Sequence, residues 1–248
     1  FNRRLREKGF YAKHTFSDIL HRSAGMEKCI ALAKKAAETE YTLLLEGESG
    51  TGKELFAQAI HNASSRFAGP FVPISCGGFS RETVETVLIG TEKNPGKFIQ
   101  ADGGTLFLDG ISEMSQDMQS FLLRFLEDGI VTPIGSRRSV HADVRVIAAA
   151  GSEVLQKVKD GSFRLDLYYR LNVLRIDLPP LRERQSDMQE LSNYFVTLLS
   201  AGYGKNIFSV SAETVERFKR SSWPGNLRQL KNTIERSVLK AEDGHELE

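Results

Sequence analysis

Cysteine is almost missing from this chain. Its 248 residues hold only Cys29 and Cys76, far apart and without metal-ligand spacing, so neither a disulfide framework nor a zinc site is expected. A reducing, cytoplasmic setting fits that usage. No apolar run approaches the roughly 20 residues needed to span a bilayer, and the N-terminal stretch lacks a signal-peptide pattern, so no membrane is expected. Excess charge is missing too: 33 Lys and Arg against 32 Asp and Glu give a formal net charge of +1, and no global field draws the chain onto nucleic acid. Internal repeats and low-complexity segments are not evident. What is present, 40% hydrophobic and 26% charged residues, suffices for a buried core in one large domain or in one domain with a smaller companion. The chain starts at Phe1 and stops in the polar Glu242-Asp243-Gly244-His245-Glu246, and it reads as a central module of a longer protein.

Short β-like runs alternate with amphipathic helical stretches, the pattern of a parallel sheet flanked by helices. Strands are expected at Thr42 to Leu45, Phe71 to Ile74, Thr105 to Leu108, Val144 to Ala149 and Val173 to Leu178. Leu55, Phe56, Ala59 and Ile60 recur at helical spacing, as do Met114, Met118, Phe121, Leu122 and Phe125, and both stripes are core candidates. Pro179-Pro180-Leu181 then interrupts regular structure, and the rest reads as helices only. The expected division is a linker at 1–15, an α/β subdomain at 16–180 and a small helical subdomain at 181–248.

Gly47-Glu48-Ser49-Gly50-Thr51-Gly52-Lys53 falls between an expected strand and an expected helix. Glycines permit positive φ and carry no Cβ, so successive backbone N–H groups can converge on phosphate oxygens. Lys53 would reach the terminal phosphates, and the helix opening at Glu54 would add its positive end. The general signature has Ser or Thr after the lysine, for magnesium; here Glu54 stands there. Asp109, closing the apolar run Leu106-Phe107-Leu108, suits a magnesium carboxylate or, equally, a turn or helix N-cap ahead of Gly110.

These segments together resemble the AAA+ central domain of bacterial enhancer-binding transcription activators, which work with the alternative sigma factor sigma-54. The resemblance runs from about Phe16 to Leu239. The glycine loop through Glu54-Leu55 matches the family's Walker A, and Gly103-Gly104-Thr105 through Asp109 resembles its Walker B strand. Phe163-Arg164-Leu165-Asp166-Leu167-Tyr168-Tyr169-Arg170-Leu171-Asn172 resembles the segment whose two arginines reach a neighbouring subunit's nucleotide. Leu178-Pro179-Pro180-Leu181-Arg182-Glu183-Arg184 is similar to the family's domain junction, and Trp223-Pro224-Gly225-Asn226-Leu227-Arg228 to its lid motif.

The resemblance implies an AAA+ P-loop fold, a three-layer arrangement of parallel sheet between helices followed by an all-helical lid. It implies ATP or ADP with Mg2+ as ligands. Gly47, Glu48, Ser49, Gly50, Thr51, Gly52, Lys53, Glu54 and Arg228 would contact nucleotide and Asp109 the metal, with Arg164 and Arg170 acting in trans. The implied partners are further copies of the chain, in a ring or dimer, RNA polymerase holoenzyme, and DNA through a domain outside this chain.

Four departures bear on hydrolysis. Gly110 replaces the family's catalytic glutamate, and Glu113, an acid the family also carries, is no obvious replacement. Ser75 stands in place of a switch asparagine, and Ala149-Ala150-Gly151 in place of a threonine-asparagine pair. The Gly-Ala-Phe-Thr-Gly-Ala loop that grips sigma-54 is missing, because Glu92 is followed by Lys93-Asn94-Pro95-Gly96-Lys97 and then Phe98. The reading is an ATPase-like fold whose hydrolysis is impaired: a nucleotide-binding regulatory module in which nucleotide governs assembly and sigma-54 is not remodelled. Two alternatives stay open, a slow but genuine ATPase and a receptor for a signalling nucleotide such as a cyclic dinucleotide.

Overall fold

The computed structural model describes residues 9–77, 84–241 and 246–247. Residues 1–8 of the expected linker, and 242–245 and 248 of the polar C-terminal stretch, lie outside the described residues. The chain divides into two compact units, and the division is not one cut in the sequence. The first comprises Phe1–Phe16, Leu32–Glu46 and Lys53–Asp177; the second comprises Ser17–Ala31, Gly47–Gly52 and Leu178–Glu248.

In chain order the elements begin with α1 (Ala24–Ala37), β1 (Leu43–Glu46), α2 (Lys53–Asn62) and β2 (Phe71–Ser75). A short π-helical turn at Val84–Ile89 precedes α3 (Lys97–Gln100) and β3 (Thr105–Asp109). Then come α4 (Gln116–Asp128), β4 (Ile130–Val131), β5 (Val140–His141), β6 (Arg145–Ala150), α5 (Val154–Lys159), α6 (Leu165–Leu171) and β7 (Leu174–Asp177). The last helices are α7 (Met188–Gly202), α8 (Ala212–Lys219) and α9 (Asn226–Lys240).

The first unit is built on a five-stranded sheet in the order β2-β3-β6-β1-β7, with every pairing parallel. Each strand lies within one residue of its expected start and end. Parallel strands are covered on both faces and read as continuous apolar runs. Leu43 to Leu45, Thr105 to Leu108 and all of Arg145 to Ala150 are accordingly buried, and these belong to the three inner strands. Pro73 interrupts β2 but sits at the sheet edge, where its missing N–H costs no ladder bond. The two helical stripes fall on α2, which buries Phe56, Ala59 and Ile60, and on α4, which buries Met118, Leu122 and Phe125. Helix α4 starts where Ser115 accepts a bond from the Met118 amide and ends at Gly129, whose φ of 68° suits glycine. A two-stranded antiparallel ribbon, β4 with β5, was not expected; two residues per strand are too few to show a period.

Arg145, at the start of β6, is buried at 2% exposure. Its guanidinium donates to the carbonyls of Ala36 at 2.7 Å and Ala37 at 3.5 Å, so a fixed cation meets the negative C-terminal end of α1.

The second unit has its own core, including Leu181, Met188, Leu191, Val196, Trp223, Leu230, Ile234 and Val238. Trp223 donates to the Phe218 carbonyl at 2.6 Å. Lys205 closes α9 by donating to the carbonyls of Val238, Leu239 and Ala241 at 2.7–3.0 Å. The unit is helical as expected, apart from an isolated parallel bridge between Val210 and Leu247.

Fully buried Asp187 ties two stretches of this unit together. One oxygen accepts from the amides of Arg22 and Ser23, both at 2.6 Å; the other accepts from the Ser23 hydroxyl at 2.9 Å and Arg184 Nε at 2.8 Å. Burial opposes its charge, but Arg184 and these donors outweigh that and hold its carboxyl below the usual range. Because the folded value is depressed, the stabilisation is complete above the unfolded pKa of about 3.9 and is lost as pH falls through the folded value. Asp187→Asn is expected to cost about 2–4 kcal/mol near neutrality. In melting curves against pH, the gap between wild type and variant should stay constant from pH about 7 to 5 and shrink below pH about 4.

Candidate functional site

The loop after β1 takes its shape within the second unit. Gly50 and Gly52 adopt φ of 79° and 105°, conformations L side chains rarely take. A Cβ on Gly50 would lie 2.4 Å from the Gly225 carbonyl oxygen, so the close approach to the start of α9 requires glycine. The Leu227 amide donates to the Gly50 carbonyl at 3.0 Å, which satisfies a helix N-terminal donor with loop backbone. Asn226 is fully buried in a left-handed conformation, φ 49°. Its amide nitrogen donates to the Ser49 carbonyl at 3.0 Å and to Glu48 at 3.1 Å, while its oxygen accepts from the Leu181 amide at 2.7 Å.

The Glu48 carboxylate is committed away from the phosphate role expected of the loop, since Arg182 grips it with two bonds of 2.9 and 2.7 Å, and only the residue's backbone is left for a loop contact. Arg228 donates to the Ser49 hydroxyl at 3.0 Å, which brings the lid arginine to the loop. Thr51 is buried and its hydroxyl donates to the Glu48 carbonyl at 2.9 Å.

In the first unit Lys53 opens α2, and Glu54 is exposed, accepting from Gln58 at 3.1 Å. Asp109 ends β3 with its carboxylate exposed and without a hydrogen-bond or ion-pair partner among the described residues. No group of three or more His, Cys, Asp and Glu that could hold a metal exists among the described residues. One open carboxylate fits magnesium held jointly with phosphate oxygens and water, and fits no all-protein cage.

Gly110 follows with φ 72° and caps a short 3-10 turn, Ile111–Glu113. The Glu113 carboxyl carbon lies 3.8 Å from the point where a Cβ at 110 would be, and a Cβ on Gly77 would collide with the same carboxylate. Ser75 ends β2 in register with Asp109. Beside it, burial first and then the Asp109 and Glu113 carboxylates push the Cys76 thiol far above its ordinary pKa, so it is no nucleophile.

Arg164 and Arg170 lie exposed on α6. Arg164 pairs with Asp166 at 2.7 Å, and Arg170 donates to the Leu126 carbonyl at 2.8 Å. Leu165 and Tyr169, one turn apart on α6, and Val173 after it are exposed apolar residues, 50–66% accessible. The segment before α3 doubles back tightly: Gly90 bridges Pro95, and the Thr91 amide donates to the Asn94 carbonyl at 2.9 Å. No helix among the described residues is long and apolar enough to cross a membrane.

Comparison with known proteins gives two family matches, the sigma-54 interaction domain over residues 19–177 and the AAA+ ATPase lid domain over residues 182–248. A signal-transduction and transcriptional-control protein of Clostridium beijerinckii is 44% identical over 237 residues, covering 92% of this chain and 38% of that protein. Among solved structures, NtrX from Brucella abortus in complex with ADP superposes with a TM-score of 0.88 at 30% identity, covering 99% of this chain and 57% of that one. Its complex with ATP gives 0.87 at 31% identity, covering 99% and 58%. The chain spans 38% to 50% of the length of the curated relatives it matches.

Asn226, Arg182 and Asp187 were not anticipated as architectural residues. The Asn226 network is testable: Asn226→Ala should lower second-unit stability by about 1–3 kcal/mol, since it removes one buried and two part-buried bonds and leaves the Leu181 amide and the Ser49 carbonyl without this partner. In hydrogen exchange, protection of the Leu227 and Leu181 amides should fall ahead of the rest of the unit; unchanged protection at both would show that the loop is held by other means.

Proposed function

The chain belongs to the sigma-54 interaction domain family, with an AAA+ lid, and from that premise we propose that it is the nucleotide-binding module of a bacterial transcription regulator in which nucleotide controls assembly and is hydrolysed poorly. The observation that carries this reading is the contrast between an intact holding apparatus and Gly110. On the second unit, the glycine loop is shaped by Asn226 and approached by Arg228. On the first, Lys53 would meet the terminal phosphates as a cation and Asp109 would bind magnesium. The likeness to NtrX structures with ADP and ATP supports nucleotide as the ligand.

Hydrolysis requires a carboxylate to orient water and accept its proton as the γ-phosphoryl group departs. Gly110 supplies none, and its left-handed φ of 72° disfavours any L side chain there. Gly151 offers no polar group at the end of β6. The tight turn between Gly90 and Pro95 supports the reading that no sigma-54-gripping loop projects there. Assembly is supported by the exposed apolar Leu165 and Tyr169 on the helix that Arg164 precedes and Arg170 ends, which suit a second copy and would let both arginines reach a neighbour's phosphates. Nucleotide would then shift assembly through its higher affinity for the assembled state. RNA polymerase holoenzyme and DNA, the latter through a domain outside this chain, complete the proposed setting.

A second reading draws on Glu113. Its carboxyl group beside the Gly110 position could position water for a slow but genuine ATPase. Phosphate release abolished by Lys53→Ala would support it.

Purified chain is expected to bind Mg-ATP in calorimetry and to turn it over about two to four orders of magnitude more slowly than a family member with the glutamate in place. Equal turnover refutes the proposal. Gly110→Glu alone should fall short of full recovery, because its backbone is strained and Ser75 and Gly151 stay altered; full recovery would show those sites to be immaterial.

A further inference from the structure

The sheet order places β6 between β1 and β3. Its C-terminal end therefore lies between the strand that leads toward Lys53 and the strand that ends in Asp109. If phosphates meet Lys53 and a cation on Asp109, as proposed above, the outermost phosphate sits over the end of β6. The strand itself offers no polar side chain there: Ala149 and Ala150 are buried, and Gly151 has none.

A carboxylate fills that space instead. A Cβ on Gly151 would meet Glu153 Oε2 at 2.0 Å and its carboxyl carbon at 2.6 Å, so Glu153 occupies the volume where a side chain at 151 would begin. The group is held in place. The hydroxyl of buried Ser112 donates to Glu153 Oε1 at 2.6 Å, and the Ser112 carbonyl accepts from Lys157 Nζ at 2.8 Å. Burial opposes its charge, but the Ser112 bond, its own backbone amide, Lys157 and Lys53 outweigh burial and hold the carboxyl below the usual range, so it is ionised at neutral pH. Its field also reaches the end of β1. Burial raises the Glu46 carboxyl, nearby Arg175 opposes that, and Asp177 and Glu153 add to the rise.

We infer that Glu153 makes this site select nucleoside diphosphate over nucleoside triphosphate. A diphosphate can give its terminal group to Lys53 and stop short of β6. A triphosphate must carry a further anionic group up to an ionised carboxylate that Ser112 holds in place, and like charges brought that close repel. Backing away would loosen the contact with Lys53 or with the cation on Asp109. The γ-phosphate is thus disfavoured at binding, independently of whether it is ever cleaved. This rests on the nucleotide reading and gives it a direction: the diphosphate state becomes the resting state.

The test is calorimetric titration of the chain with Mg-ADP and Mg-ATP, using wild type, Glu153→Gln and Ser112→Ala, with melting curves to verify folding. Wild type is expected to hold ADP about tenfold more tightly than ATP, the scale of a typical coupling between ligand and site. Glu153→Gln keeps the shape and the Ser112 bond but removes the charge, and it should abolish the preference through tighter ATP binding. Ser112→Ala, which frees the carboxylate to swing away, should move the ratio part of the way and decides the matter if Glu153→Gln does not fold. A wild-type preference for ATP, or an ADP to ATP ratio unchanged in the folded variants, overturns the inference while leaving nucleotide binding intact. Failure of both nucleotides to bind any form overturns the nucleotide reading itself.

Discussion

Burial of β6 between β1 and β3 is the constraint on which the first unit depends. All six of its residues are inaccessible, and it is paired along both edges. A one-residue slip would exchange the faces of Ile147, Ala148 and Ala149 and leave Arg145 away from the carbonyls of Ala36 and Ala37. The guanidinium at the strand's start and the apolar run after it therefore specify the same register. With β6 fixed, the C-terminal ends of three adjacent parallel strands are fixed as well, and such ends are where open α/β sheets present ligand-binding groups.

At those strand ends the surface is negatively charged rather than apolar, although β6 itself ends without a polar side chain. Gly110 and Gly151 leave space, and Glu113 and Glu153 extend into or beside it. Asp109 adds a third carboxylate at the end of β3. Opposing them in the same unit is Lys53, whose field already acts on Glu153. A polyanion approaching this region meets carboxylates as well as Lys53, so the balance of charge at the strand ends opposes it wherever no cation intervenes.

The sheet was legible because most of its strands are compact, largely apolar runs, and Leu43 to Leu45 in β1 and Val146 to Ala150 in β6 are apolar where burial is two-sided. The helical stripes on α2 and α4 were legible for the corresponding periodic reason. The glycine loop and the acid at the end of β3 announced themselves by composition. What escaped was long-range and polar. Asn226 meets Glu48 across 178 positions and Asp187 meets Arg22 across 165, and neither pairing leaves a local pattern. Arg145 reads as a charged residue beginning a strand, with no sign that helix carbonyls 108 and 109 positions away would enclose it. Glu48 was legible only as a member of the glycine loop, and nothing local told that its carboxylate serves Arg182 and Asn226.

Those polar pairings explain how a glycine-rich loop can be ready for a ligand. Three glycines within six residues give the unfolded segment more conformational freedom than any other residue type would, and ordering it is correspondingly unfavourable. Left to itself, such a loop would have to be ordered by its ligand, at the expense of affinity. Here the second unit orders it beforehand: Leu227 holds the Gly50 carbonyl, Asn226 holds the Ser49 carbonyl, and Arg182 and Asn226 hold Glu48. Every one of these bonds ties down a carbonyl or a side chain, the groups a phosphate does not need. Positive φ at Gly50 and Gly52 then sets the direction of the backbone, and the close approach of Gly50 to Gly225 excludes a side chain at that turn. An arrangement that fixes the acceptors of a loop in advance leaves its backbone donors free to face an anion and lowers the ordering cost of binding one.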